Sequence, residues 1–112
     1  MNIENLFPAP LYKEVFRLDR EKFVPEQTGC YVLTNFSGVV LYIGLAKNLR
    51  RRMNDHLKNS EKTKETKFGR AILFHWLISN ELNKIERTWL NTHIENEGSL
   101  PVLNKIYSPT SA

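Results

Sequence analysis

The stretch GCYVLTNFSGVVLYIG, residues 29–44, decides how this 112-residue chain folds. Two apolar runs, Cys30 to Phe36 and Val39 to Ile43, are rich in the Val, Leu, Ile, Tyr and Phe that suit a pleated, half-buried surface. Ser37-Gly38 between them is a turn signal, so the stretch is read as a β-hairpin. Each arm carries a tyrosine close to a glycine, Tyr31 after Gly29 and Tyr42 before Gly44. Side chains alternate along a strand, so a connection of even length puts both phenols on one face and an odd one splits them. The even case is the expected one.

Beyond Gly44 the apolar period changes from two to four. Leu45, Leu49, Met53 and Leu57 form a helical stripe over 45–57, with Asn48 available as an N-cap from which the regular helix could start. Arg52 and His56 share that spacing and flank the stripe, so they lean toward the sheet. Arg51, about 200° round from Leu49, faces solvent. Residues 58–67 are polar and aperiodic and read as a loop. Ile72 to Ile78 reads as a third strand, with a buried helix as the alternative. Its His75 is expected to be a satisfied core or edge histidine rather than a ligand.

Ser79 or Asn80 then caps a second helix running to about Asn96. Leu82, Ile85, Trp89, Leu90, His93 and Ile94 keep its period, and Glu86 sits at the edge of the buried face. Gly98 and Pro101 end it, Asn104 follows among apolar residues, and the chain frays from Pro109. Upstream, Leu11 to Leu18 is a strand or a short helix within an N-terminal extension, residues 1–27. The expected fold is α+β, a small three-stranded, mainly antiparallel sheet flanked by helices. It forms one domain over 1–112 with its core at about 28–105.

The composition is that of an ordinary globular protein, 41% hydrophobic and 25% charged. No apolar run approaches the roughly 20 residues that span a bilayer, and the N-terminus has no leader pattern, so a cytoplasmic protein off the membrane is expected. The lone Cys30 agrees with a reducing compartment. The net charge of +4 is localised: residues 45–75 hold nine Lys/Arg against three Asp/Glu, whereas each flank is slightly acidic. A concentrated excess of that kind suits a polyanion. Lys47, Arg51, Lys62, Lys64, Lys67 and Arg70 are the candidate nucleic-acid contacts. Trp76, Trp89, Phe68 and Phe74 are read as core residues before a base-stacking platform.

These residues in this order resemble the GIY-YIG nuclease superfamily. Gly29-Cys30-Tyr31 matches Gly-Ile-Tyr, and Tyr42-Ile43-Gly44 matches Tyr-Ile-Gly. Leu-Tyr-Ile-Gly-x-Ala-Lys-Asn-Leu-Arg-x-Arg is very like the same stretch in the excision-repair incision branch of the superfamily. The helix arginine falls on Arg52, its next-turn partner on His56, the metal-binding glutamate on Glu86, and the closing Pro-x-x-Asn on Pro101 and Asn104. Two departures stand out: Leu45 occupies a position that is often polar or basic, and the interval from Glu86 to Asn104 is long.

The resemblance implies a metal-dependent endonuclease that hydrolyses phosphodiester bonds in DNA. Tyr31, Tyr42, Arg52, His56 and Glu86 would be catalytic, with Gly29, Gly44 and Asn104 supporting them. Tyr31 is the implied general base, Arg52 clamps phosphate, and Glu86 holds one Mg²⁺ or Mn²⁺. The five catalytic side chains are expected to line one cleft. The alternative is a nucleic-acid-binding module of the same fold that is inactive or needs a protein partner or a second copy. Single-stranded, duplex or branched DNA all remain open as substrate, and so does RNA.

Overall fold

The computed structural model describes residues 1–104, so the expected fraying from Pro109 lies outside the described residues. In chain order the elements are β1 (Tyr12–Val15), β2 (Gly29–Thr34), β3 (Val40–Ala46), α1 (Leu49–Leu57), α2 (Ser60–Thr63), β4 (Leu73–Ile78) and α3 (Leu82–Glu97). Short 3₁₀ turns lie at Ile3–Asn5 and Leu18–Phe23. The strands form one antiparallel sheet in the order β1-β4-β2-β3. The α+β class is the expected one, with a fourth strand added by the N-terminal segment. Residues 1–27 also give Leu6, Phe16 and Val24 to the core, and Pro8 O accepts from Trp89 Nε1 at 2.8 Å.

The two sheet faces carry separate apolar clusters. Tyr31, Leu33, Tyr42, Phe74 and Trp76 pack under α1 through Leu49 and Met53. On the other face Cys30, Val32, Ile43 and Leu45 pack against Leu82, Ile85 and Trp89 of α3. Leu45 therefore belongs to β3 and the second face, not to the helical stripe. The helix starts at Leu49, where the Asn48 side chain accepts from Arg51 N–H. The 58–67 segment is not wholly loop, because Asn59 caps the single turn α2. At α3 the N-cap is Glu81 rather than Ser79 or Asn80, although Ser79 Oγ accepts from Glu81 N–H at 3.0 Å. Gly98, at φ 76°, stops α3 in the left-handed conformation that glycine adopts without strain.

The hairpin connection corrects the parity argument. Thr34 pairs with Val40 across five residues, an odd connection that would split the phenols. Leu33, however, pairs with Tyr42, which leaves Leu41 as an extra residue on β3. This bulge restores the phase, and Tyr31 and Tyr42 face the same way. The shared face is as expected; the route to it is not.

Candidate active site

The Tyr31 and Tyr42 rings lie on the α1 side of the sheet with centroids 5.9 Å apart. Gly44 makes room for them: a Cβ there would come within 2.6 Å of the Tyr31 hydroxyl and 2.8 Å of Tyr42 Cε2. Gly29 is small for a different reason, since its Cβ would run into the Leu77 carbonyl oxygen of β4. From α1, His56 reaches back so that its Nε2 and the Tyr31 hydroxyl share a hydrogen bond of 2.5 Å. The imidazole also meets Tyr42 edge-on, with ring centroids 5.3 Å apart. Arg52, one turn earlier, acts on both phenols.

Burial dominates the electrostatics of this group. It pushes Tyr31 well above the usual phenol range, the neighbouring Tyr42 adds to the rise, and Arg52 opposes it. Tyr42 is raised less. Its burial is offset by a hydrogen bond from Tyr31 and by Arg52, while Glu86 pushes the other way. His56 is depressed to about 3, first by burial and then by Lys62 and Arg52, so it is neutral at physiological pH.

Exposure separates the two tyrosines. Tyr31 is 0% exposed and its hydroxyl is held by His56, whereas Tyr42 keeps 8% of its surface. A general base has to reach a water molecule. Of the two phenols Tyr42 is the more exposed, and Tyr31 is fully enclosed.

Glu86 arrives from the opposite side of the sheet. A cleft of about 560 Å³ opens between the starts of α1 and α3, at the Leu45 end of the edge strand β3. Lys47, Arg51, Arg52 and Asp55 form one wall and Leu82 and Asn83 the other. Of the five side chains expected to line one cleft, Arg52 alone is in its lining: Tyr31, Tyr42 and His56 are buried on the α1 side of the sheet, and Glu86 lies one turn beyond Leu82 on α3. Its carboxylate acts electrostatically on Tyr42 and on Cys30. Burial raises Glu86, with Arg87 opposing, and among the described residues its side chain has no hydrogen bond or ion pair. A half-buried carboxylate left without a partner fits a cation. Among the described residues there is no group of three or more His, Cys, Asp or Glu that could hold a metal, so the fit is to an ion that keeps most of its waters, as Mg²⁺ does.

The remaining expected residues divide. Asn104 does not reach the phenols. It clips the edge of β3, its Oδ1 accepting from Ile43 N–H at 3.0 Å and its Nδ2 donating to Ile43 O at 2.9 Å. Lys47 and Arg51 line the cleft, but Lys64 pairs with Glu61 and Arg70 with Glu65. Lys67 lies at the far end, over the Phe68 ring and beside the hairpin turn. Trp76, Trp89 and Phe74 are core residues and Phe68 is exposed. His75 bonds Thr34 at 2.9 Å, as a satisfied histidine does. Sequence reasoning missed that Lys62 sits over Tyr42, its Nζ 4.7 Å from the ring centroid. No periodicity could show this, since a turn at Asn59 folds the chain back; Asn59 itself was the available signal.

A two-faced antiparallel sheet with this tyrosine pair, helix arginine and glutamate is the frame of a GIY-YIG domain, and the GIY-YIG catalytic domain model matches residues 27–98. The chain belongs to that family. It is 30% identical over 63 residues to the UvrABC system protein C of Lactobacillus helveticus, covering 56% of this chain and 10% of that protein. For the protein of the same name from Streptococcus pyogenes the figures are 26% over 93 residues, 73% and 16%. The chain thus spans a small fraction of these relatives' length. In structure it resembles the GIY-YIG N-terminal endonuclease domain of UvrC from Thermotoga maritima bound to magnesium. The TM-score is 0.53 at 22% identity, covering 76% of this chain and 91% of that one. No helix among the described residues is long and apolar enough to cross a membrane.

Proposed function

We propose that this chain is an endonuclease that hydrolyses phosphodiester bonds in DNA, with one divalent cation held by Glu86. The observation that carries the reading is the joining of a buried tyrosine–histidine pair to a cation-lined cleft through a single arginine, Arg52. The likeness to a domain described as an endonuclease with a catalytic magnesium supports it.

The chemistry follows from the positions. In the Nε2–H tautomer His56 donates to Tyr31, which frees the Tyr31 hydroxyl proton to act on Tyr42. A chain of donors ending on Tyr42 favours its anionic form, and the Arg52 charge acts in the same direction. Tyr42 removes a proton from a water that attacks phosphorus in line. The P–O bond opposite breaks, and the departing oxygen takes its proton from solvent. Arg52, at the mouth of the cleft, binds a non-bridging oxygen and offsets the charge that builds there. Glu86 would hold the divalent cation, which would supply Lewis-acid polarisation of the phosphate. Lys47 and Arg51, on the same cleft wall, hold the flanking backbone.

The test uses labelled single-stranded, duplex and branched DNA with Mg²⁺ or with EDTA. Wild type should cut in Mg²⁺ and stop in EDTA, and Glu86→Ala should lose about 100-fold or more in rate. A wild type that cuts nothing, or an E86A variant as fast as wild type, ends this reading.

A further inference from the structure

Lys62 sits where a residue tracking the phosphate backbone would not. Its Nζ lies 4.7 Å from the centroid of the Tyr42 ring, and the residue is half-buried. The local chain is built to put it there. Asn59 N–H donates to His56 O at 3.0 Å, closing the end of α1. The Asn59 side chain then accepts from Glu61 N–H at 2.9 Å, and its carbonyl accepts from Lys62 N–H at 2.9 Å. Four hydrophilic residues after α1, the turn has reversed and Lys62 points back at the sheet. The residue that follows Gly44 cannot serve the same purpose, because Leu45 is buried in the core of the opposite face.

On its own face of the sheet Tyr42 meets Tyr31 from β2, His56 from α1 and Lys62 from α2; Arg52 of α1 and, from the opposite face, Glu86 of α3 act on it electrostatically. Glu86 opposes ionisation of the phenol and Arg52 favours it, while Lys62 meets the ring face itself. A cation on the face of an aromatic ring is attracted to the neutral ring and attracted more strongly to the ring once it carries negative charge. Lys62 also helps to keep His56 neutral, and therefore able to hold the Tyr31 hydroxyl.

We infer that Lys62 is a positioning residue for Tyr42: its ammonium, laid on the ring, fixes the phenol and favours its anion, and it does not grip the DNA backbone. The inference rests on the endonuclease reading for its kinetic consequence but not for its electrostatic one. A lysine that grips the backbone contributes to binding. A lysine that acts through Tyr42 contributes to turnover.

The full chain carrying Lys62→Met, Lys62→Arg or Lys64→Met is compared with wild type in steady-state cleavage of labelled DNA, and the tyrosines are titrated by NMR with ¹³Cζ labelling. Lys62→Met should lower kcat about tenfold or more with KM within about twofold, and Lys62→Arg should stay within about threefold of wild type. Lys64→Met, whose lysine pairs with Glu61, should leave the Tyr42 ionisation where wild type has it. In Lys62→Met the Tyr42 ionisation should move to higher pH than in wild type. The inference is overturned if Lys62→Met raises KM and leaves kcat alone, or if Tyr42 titrates as in wild type. The titration reads Lys62 even if wild type cuts no DNA, an outcome that would sink the nuclease reading instead. Lys62→Gln replaces Lys62→Met should the latter lose its fold.

Discussion

At the scale of single residues, Gly44 and the buried histidines His56 and His75 carry the sharpest consequences. A methyl on Gly44 would meet Tyr31 at Oη, 2.6 Å, and at Cζ, 2.7 Å. The Tyr31 ring is enclosed by Phe74, Tyr42 and His56 and cannot swing aside without breaking its bond to His56. Gly44→Ala should therefore cost about 1–3 kcal/mol, read as a lowered urea midpoint, and cleavage should fall with it. The histidines set the acid limit. Burial holds His56 at about 3 and His75 at about 4, against 6.5 for the free side chain. Below pH 6.5 the unfolded chain therefore binds protons that the folded chain refuses, and stability falls as pH drops toward those values. Each histidine contributes a slope of up to about 1.4 kcal/mol per pH unit. Urea midpoints measured from pH 7 to pH 5 should decline; a flat profile would show that both rings protonate within the fold. The motif residues were legible as residues. That Tyr31 lies inward and Tyr42 outward was not, because a one-residue bulge and the ring packing decide it.

At the scale of elements, the edge of β3 is where the closing motif does its work. An edge strand presents unpaired backbone groups, and Asn104 satisfies both those of Ile43 while Leu103 N–H donates to Leu41 O at 2.9 Å. The amide thus substitutes for one rung of a neighbouring strand and leaves the Leu45 end of β3 open to the cleft. Removing it with Asn104→Ala should cost about 1–3 kcal/mol by thermal or urea unfolding, because two bonds to one backbone unit are lost together. Unchanged stability would mean that water replaces the clip at no cost. The hairpin, α1 from Asn48 and the strand β4 were legible from period and turn chemistry, and α3 from its period but not its N-cap. β1 was ambiguous because four residues of loose alternation fit a strand or a short helix until β4 is there to pair with them. The turn of α2 was hidden by its polarity.

At the scale of the whole molecule, the positive charge of residues 45–75 is less a continuous arm than a wall and its outliers. Lys47, Arg51 and Arg52 line the cleft, while Lys64 and Arg70 are engaged with glutamates and Lys67 sits at the other end of the domain. Binding should then depend on salt chiefly through the cleft. With Glu86→Ala in EDTA, Lys47→Ala combined with Arg51→Ala should reduce the slope of log affinity against log salt by about 2, whereas Lys64→Ala combined with Arg70→Ala should change it by less than about 1. Anisotropy titrations at several salt concentrations measure both, and equal slopes in the two pairs would restore the arm. The sequence by itself determined the tyrosine–glycine hairpin, the helix that carries Arg52 and His56 four residues apart, and the helix that carries Glu86, since each depends on local period and turn chemistry. Only the tertiary structure decided which phenol is the more exposed, which face α3 covers, and where Lys62 points. Those depend on the bulge at Leu41, the sheet order and the turn at Asn59, contacts between segments that no local period records.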